Sequence, residues 1–399
     1  MIYLDNASTT KTDPKVIEAM TPYLTDLYGN AGTLYEFGQK SKKAIDEARE
    51  EVAQLINAKP EQIIFTSGGS EANNMVFQGI KDYLMFKNKP TIVTTQIEHD
   101  SVINAVNNLC REKYVGKDGL PFQFKAKFVP PMKNDGVSAD TVINYLENKP
   151  DVGLVSVMNT NNETGILNKM CNIIGDFAYK NGILFHTDCV QALGCAKIDV
   201  DELNCDFLSM SSHKIHGVKG VGALYVRNKS IISPLICGGG AQEYGLRGGT
   251  ENVVGIVGFG MACKLLRLNQ EEEINYVRDL RNKLYYNIRN NLAEIGLDNV
   301  LHVNGNLDFG APGKTINLRF DGIDAETMLL MLDSCGVCAT AGSACRSHES
   351  EPSRVLTSMG ISDDDARSSI RFSVSRMNTE DEIVEASKIV SDCVQFLHK

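Results

Sequence analysis

The chain has 399 residues, 43% of them hydrophobic, with a formal net charge of −10. Its length exceeds one ordinary domain and its apolar share suffices for full cores. The acidic balance argues against general nucleic-acid binding and against an anionic membrane surface, and it leaves room for a basic protein partner.

From about residue 60 to 230, short apolar runs alternate with amphipathic ones. QIIFTS, PTIVTT, FKAKFV, VGLVSVM, GILFHTD, FLSMSS and GALYVRN read as strands. EANNMVFQGIKDYL, SVINAVNNLCREK, ADTVINYLENK and the stretch around CNIIGDFAYKNG read as helices. This alternation predicts an α/β unit with a largely parallel sheet covered by helices. Beyond the glycine-rich ICGGGAQEYGLRGGTEN the pattern changes. A long charged helix (about 270 to 297) leads to the strand KTINLRF, the helix DAETMLLMLDSC, the strand SSIRFSVSR and a last helix from about Thr379. That is a smaller α+β unit. The expected division is an N-terminal segment, 1–20, near the small domain and the site, a large domain, 21–255, and a small domain, 256–399. No apolar run is long enough to cross a bilayer, and MIYLDNASTT does not read as a signal peptide. The eleven cysteines are too few and too dispersed for a secreted disulfide scaffold, so a reducing cytoplasm is the simpler expectation.

Four local patterns bear on chemistry. QIIFTS-GGS-EANN is strand, glycine-rich turn and helix, with Gly68, Gly69 and Ser70 either cradling a phosphate at the helix N-terminus or forming an ordinary cap. GILFHTDCVQALG places Asp188 just past a hydrophobic strand, where ligands gather in an open α/β sheet, although Asp is also a common turn former. There a buried carboxylate can hold a pyridine nitrogen in its protonated form, and Gln191 can reach a phenolate oxygen. His99 follows the strand PTIVTT and either stacks on a flat ring or caps the next helix. Lys214 in SSHK ends the apolar strand FLSMSS. Alone, it reads as a surface lysine with a buried stem; beside the other three, it reads as a reactive amine.

These patterns follow one another in the order cradle, His, Asp, Ser-x-His-Lys. With YLDNASTTKTDP, NNETG, LRGGTEN, GSACRS, EPSRVL and SSIRFSVSR, the sequence resembles a cysteine desulfurase of the iron–sulfur assembly and nitrogen-fixation type, within the class V aminotransferase superfamily. The resemblance covers nearly the whole chain. It implies the type I fold of pyridoxal-phosphate-dependent transferases, with a mostly parallel seven-stranded sheet and a smaller α+β C-terminal domain that carries the catalytic cysteine loop.

The resemblance also implies roles for single residues. Lys214 forms the covalent link to pyridoxal 5'-phosphate, and Gly69, Ser70, Ser211 and His213 hold the phosphate. His99 stacks on the ring, Asp188 pairs with its nitrogen, and Gln191 and Asn162 lie near its phenolic oxygen. Thr250 reaches the phosphate of the partner subunit, which implies a homodimer. Arg371, helped by Asn30, binds the carboxylate of L-cysteine. Cys345 accepts the sulfur and passes it to an acceptor protein, an iron–sulfur scaffold or a thiolation enzyme. No resident metal is implied, and Cys345 is a candidate transient iron–sulfur ligand.

The chain departs from the usual pattern at Ala31 and Tyr35, which replace a proline and a histidine. It departs again at Arg346, after the catalytic cysteine, and at Cys189, which reads as a core cysteine. Two alternatives use the same scaffold, a selenocysteine lyase and an aminotransferase; the latter has no need of Cys345. An alternative of another class is a metal- or cluster-binding scaffold protein with an inactive enzyme fold. Cys335, Cys338, Cys345 and His348 would then be the ligands, in the spacing C-x2-C-x6-C-x2-H. Against this, Cys335 and Cys338 read as small buried residues.

Overall fold

The computed structural model describes residues 1–116, 119–239, 242–342 and 351–398. Seven strands form the main sheet: β1 (Ile63–Thr66), β2 (Thr91–Thr95), β3 (Lys125–Val129), β4 (Val152–Ser156), β5 (Leu184–Asp188), β6 (Phe207–Ser211) and β7 (Gly222–Val226). Their spatial order is β1-β7-β6-β5-β4-β2-β3. Pairings among β2 to β6 are parallel, while β7 runs antiparallel to both β1 and β6. These seven strands are the seven apolar runs of the sequence. A strand covered on both faces needs apolar side chains at successive positions, which is why the runs are nearly continuous. The pleat sorts them into two cores. Phe65, Val93, Val155 and Leu208 face one, and Ile64, Ile92, Leu154 and Phe207 face the other.

Two helices precede the sheet, α1 (Pro14–Thr25) and α2 (Glu36–Leu55). Helix α3 (Gly69–Gly79) follows β1, α4 (Asp100–Arg111) follows β2, and α5 (Val253–Leu268) returns to pack on α1 and α2. The close approach of α5 to α2 depends on Gly260, where a Cβ would lie 2.6 Å from Ala48. Ile256, Phe259 and Leu266 of α5 belong to the same core as Phe65 and Val155.

A third core lies over a second sheet of β8 (Leu301–Val303), β9 (Thr315–Phe320) and β10 (Ser369–Ser373), antiparallel in that order. Helices α6 (Gln270–Glu294), α7 (Ala325–Ser334) and α8 (Glu380–Leu397) cover it with Leu284, Met328 and Val390. Ile2 and Leu4 are buried in this core, and Ile2 and Tyr3 pair in parallel with Val337 and Cys338. The expectation that Cys335 and Cys338 are buried does not hold: Cys335 is exposed and Cys338 half-buried. Cys335 is the C-cap of α7, beyond Leu332, the last buried residue of that helix.

One buried ion pair ties α2 to the segment that follows β7. Arg49 Nη2 meets Glu243 Oε1 at 2.6 Å and Arg49 Nη1 meets Oε2 at 2.8 Å, with both side chains almost wholly buried. Glu243 Oε2 also accepts from the Phe65 N–H of β1, and Arg49 lies over the Phe65 ring. To reach this place Glu243 and Tyr244 adopt left-handed backbone angles, φ 45° and 59°, which the pair must offset. Removing one partner strands a buried charge. Glu243→Ala is therefore expected to cost about 3–5 kcal/mol, read as a lower urea midpoint of unfolding.

Candidate active site

The carboxyl ends of β1, β2, β4, β5 and β6 open toward β10, where a cavity of about 210 Å³ lies. Of the residues expected from the sequence, Gly69, Ser70, His99, Asn162, Asp188, Gln191, Ser211, His213, Lys214 and Arg371 all line it. Two do not. Asn30 is exposed, and its side chain accepts from the Gly32 N–H in its own turn. Thr250 lines a separate hollow with Ser67 and Arg247. Cys345, Arg346 and His348 lie outside the described residues.

At the end of β1 the chain turns through Gly68, at φ 156° and ψ −178°, a conformation that suits glycine alone. Helix α3 starts at the next residue, and its first backward bond is from the Ala72 N–H to Gly68 O. The earlier N–H groups of this turn have no helical acceptor, and they carry the positive end of the helix dipole. With no side chain at the cap, these donors are open to an anion beside Ser211 and His213. Burial, and then the cations Lys214, Lys314 and Lys219, push His213 down to about 4, so its ring is neutral at physiological pH.

Asp188 and His99 belong to one hydrogen-bonded chain, and Asn73 is the member that the sequence reading missed. Asn73 Nδ2 donates to Asp188 Oδ2 and to Ser101 Oγ, both at 2.8 Å. Ser101 Oγ in turn lies 2.7 Å from His99 Nδ1, which also accepts from the Ser101 N–H. His99 is thus the N-cap of α4, and its Nδ1 is committed as an acceptor. The cap reading and the ring-facing reading of His99 are compatible, because the cap fixes the ring that lines the cavity. Asp188 Oδ1 takes the Val190 N–H at 2.9 Å. Beneath Asp188, His186 lies between Ser156 and Ser209, and burial, opposed by Asp188, holds it down to about 4. Cys189 is fully buried, and burial pushes its thiol far up, as a core cysteine requires.

Lys214 and Arg371 are both reached by the N-terminal segment. Lys214 Nζ donates to Ala7 O at 2.6 Å and to Ser8 O at 2.8 Å. Gln191 Nε2 shares the Ala7 carbonyl. Behind the loop, Lys314 Nζ donates to Lys214 O at 3.2 Å. Arg371, on β10, is buried; its guanidinium donates to Asn162 O, Asp5 Oδ1 and Ser8 Oγ. Asp5, Ser8 and Lys314 act through contacts distant in sequence, which no local pattern announces.

Pyridoxal phosphate needs an amine for its aldehyde, a carboxylate for its ring nitrogen and a cradle for its phosphate. Lys214, Asp188 and the start of α3 supply those three groups in one cavity. Asn73 Oδ1, Asn162 Oδ1, Gln191 Oε1 and Arg371 Nε, all from lining residues, are buried with no hydrogen-bond partner among the described residues. A polar ligand resolves such a debt. The residues present fit the group.

Residues 2–385 match the family model described as aminotransferase class-V. The chain is 40% identical over 382 residues to a protein of Clostridium botulinum strain Hall named cysteine desulfurase IscS, covering 96% of this chain and 91% of that one. A solved structure named NifS-like protein superposes with a TM-score of 0.85 at 31% identity, over 99% of this chain and all of the other. A second, described as SspA in complex with cysteine, gives a TM-score of 0.75 at 30% identity, over 95% of this chain and all of the other. The chain belongs to the class-V aminotransferase family.

Glu98, next to His99, is fully buried, and its Oε1 accepts from the Met158 N–H and from Thr95 Oγ1. Burial is the main cause that raises its carboxyl to about 8, from 4.5. Between those values the folded chain keeps a proton that the unfolded chain loses, so this group makes stability fall as pH rises, by about 1.4 kcal/mol per unit. The fall ends above about 8. Glu98→Gln removes this contribution. Its unfolding midpoint should therefore drop less than the parent's between about pH 5 and 8, measured by denaturant titration.

Proposed function

We propose that this chain is a pyridoxal-phosphate-dependent cysteine desulfurase, which converts L-cysteine to L-alanine and passes the sulfur through Cys345. The observation that carries the reading is the meeting of Lys214, Asp188 and a buried Arg371 in one cavity. The desulfurase relatives, matched over nearly the whole chain, support it.

When bound, pyridoxal phosphate supplies an electron sink for the substrate Cα. Gly69 and Ser70 at the start of α3, with Ser211 and His213, hold its phosphate. His99 would stack on its ring, Asp188 would pair with the ring nitrogen, and Gln191 and Asn162 would stand near the phenolic oxygen. Arg371 receives the carboxylate of L-cysteine, because a planar guanidinium meets two oxygens at once. Lys214 Nζ would hold the cofactor and would move the proton at the substrate Cα. The Cys345 thiolate then attacks the substrate sulfur. The carbon–sulfur bond breaks as a sulfur–sulfur bond forms on Cys345, and the substrate Cβ takes a proton to leave as alanine. The Cys345 persulfide passes its outer sulfur to an acceptor protein, an iron–sulfur scaffold or a thiolation enzyme.

The active form in this proposal is a homodimer in the cytoplasm. Thr250 would then reach the cofactor phosphate of the partner subunit, and its position outside the cavity of its own chain supports this. Tyr28, Leu34 and Tyr35 are large exposed apolar residues around Asn30, and they support a covered face there. No helix among the described residues is long and apolar enough to cross a membrane.

Two measurements test the reading. Cys345→Ser should keep the yellow cofactor and still bind cysteine, but form no persulfide and no catalytic alanine. Normal desulfuration by this variant would leave the aminotransferase or selenocysteine lyase in its place. Arg371→Ala should raise KM for L-cysteine by about 30-fold or more, because a charged hydrogen-bonded pair is lost, with cofactor content retained. An unchanged KM would make Arg371 a structural cation only.

A further inference from the structure

We propose that Ser8 is a further specificity-determining residue, whose hydroxyl binds the carboxylate of the amino-acid substrate together with Arg371. The inference rests on the reading of Arg371 given above and extends it to a residue with no assigned role.

A guanidinium carries five N–H bonds. Arg371 Nη1 donates to Asn162 O at 2.8 Å. Nη2 donates to Asp5 Oδ1 at 2.8 Å and to Ser8 Oγ at 2.6 Å. Nε is buried with no partner among the described residues. Nε–H and one Nη2–H point along the same edge of the planar group, the fork that grips a carboxylate. One prong of that fork is idle, and the other nitrogen is held by the N-terminal segment.

Ser8 Oγ closes a small cycle. It accepts from Arg371 Nη2 and donates to Asp5 Oδ1 at 2.9 Å, while the same Asp5 oxygen accepts from Arg371. Ser8 lines the cavity, which Asp5 does not. A hydroxyl proton rotates to suit its acceptor. When a carboxylate takes the fork, one oxygen meets Nε–H and the other takes the Nη2–H that Ser8 Oγ accepts in this structure. The Ser8 proton turns from Asp5 to that second oxygen and adds a third donor. Asp5 keeps its bond to Arg371, so the cation stays paired throughout.

Ser8 also touches the other end of the site. Its main-chain carbonyl accepts from Lys214 Nζ at 2.8 Å. One residue therefore contacts both the amine that handles the substrate's nitrogen end and the guanidinium that handles its carboxylate. This suits an α-amino acid, whose two polar groups diverge from a single carbon, and it disfavours a simple amine.

The test uses cofactor-loaded enzyme carrying Cys345→Ser, so that ligands bind without sulfur transfer. Equilibrium Kd is read from the change in cofactor absorbance for L-cysteine and for cysteamine, which has the same thiol and amine and no carboxylate. Ser8→Ala should weaken L-cysteine about tenfold, the effect of one hydrogen bond to a charged group, and leave cysteamine and cofactor content unchanged. Equal weakening of both ligands, or of neither, overturns the role of Ser8. Arg371→Ala in the same assay separates the two readings. If it weakens L-cysteine while Ser8→Ala does not, only the Ser8 inference falls. If Arg371→Ala has no effect, the reading of Arg371 fails and takes the inference with it.

Discussion

A guanidinium cannot be buried without partners, and the burial of Arg371 imposes the layout of the site. Arg371 belongs to β10 of the small sheet, yet its two terminal nitrogens are held by Asn162 O, beyond β4 of the large sheet, and by Asp5 and Ser8 near the N-terminus. Three distant parts of the chain must therefore meet at one cation. The cavity is the space left between them and the strand ends of the large sheet.

The N-terminal segment is the common element. Ala7 N–H donates to Ser373 Oγ of β10, and Thr10 N–H donates to His213 O of the lysine loop. Thr10 Oγ1 takes the His216 N–H on the far side of Lys214. The Arg371 side and the Lys214 side of the cavity are thus sewn to one short stretch of backbone. The separation between Arg371 and Lys214 is bridged by that stretch, through Ser8 Oγ on one side and Ser8 O on the other. Pre-organisation of this kind lowers the entropic cost of orienting a reactant.

Much of this architecture is legible in the sequence, and the reason differs from element to element. The seven strands show because burial on both faces makes them continuous apolar runs. Asp188, His99 and Lys214 show because each follows such a run at its carboxyl end, where a parallel sheet places ligands. Helix α5 is harder to read: VVGIVGFGMACKLLRL is apolar nearly all round, and its glycines weaken the helical signal. The structure supplies their reason at Gly260, which lets α5 touch α2. Asn73 lies one turn beyond the glycine-rich stretch, a position from which its contact with Asp188 could be suspected but not placed. The partners of Arg371 and Lys214 in the N-terminal segment are invisible locally, because they depend on tertiary contacts between opposite regions of the chain. Asn30 shows the converse limit: a motif position carried over by resemblance stands outside the cavity of its own chain.

The lacing of the first strand residues into the small sheet also constrains how the protein is made. Ile2 and Leu4 sit in the third core with Phe372 and Val390, and Ser373 N–H donates to Leu4 O. During synthesis on the ribosome these early residues emerge long before their partners. The large sheet can close first, since its strands lie within one continuous stretch of chain. The early segment must then wait, and the loop it finally closes spans almost the whole polypeptide, at an entropic cost that grows only slowly with length. The pocket therefore cannot be complete until β10 has been made, since Arg371 lies on it. A nascent chain stalled before β10 would hold a largely formed α/β body whose N-terminal segment lacks its contacts with Arg371 and Ser373, a species that chaperones are suited to shield.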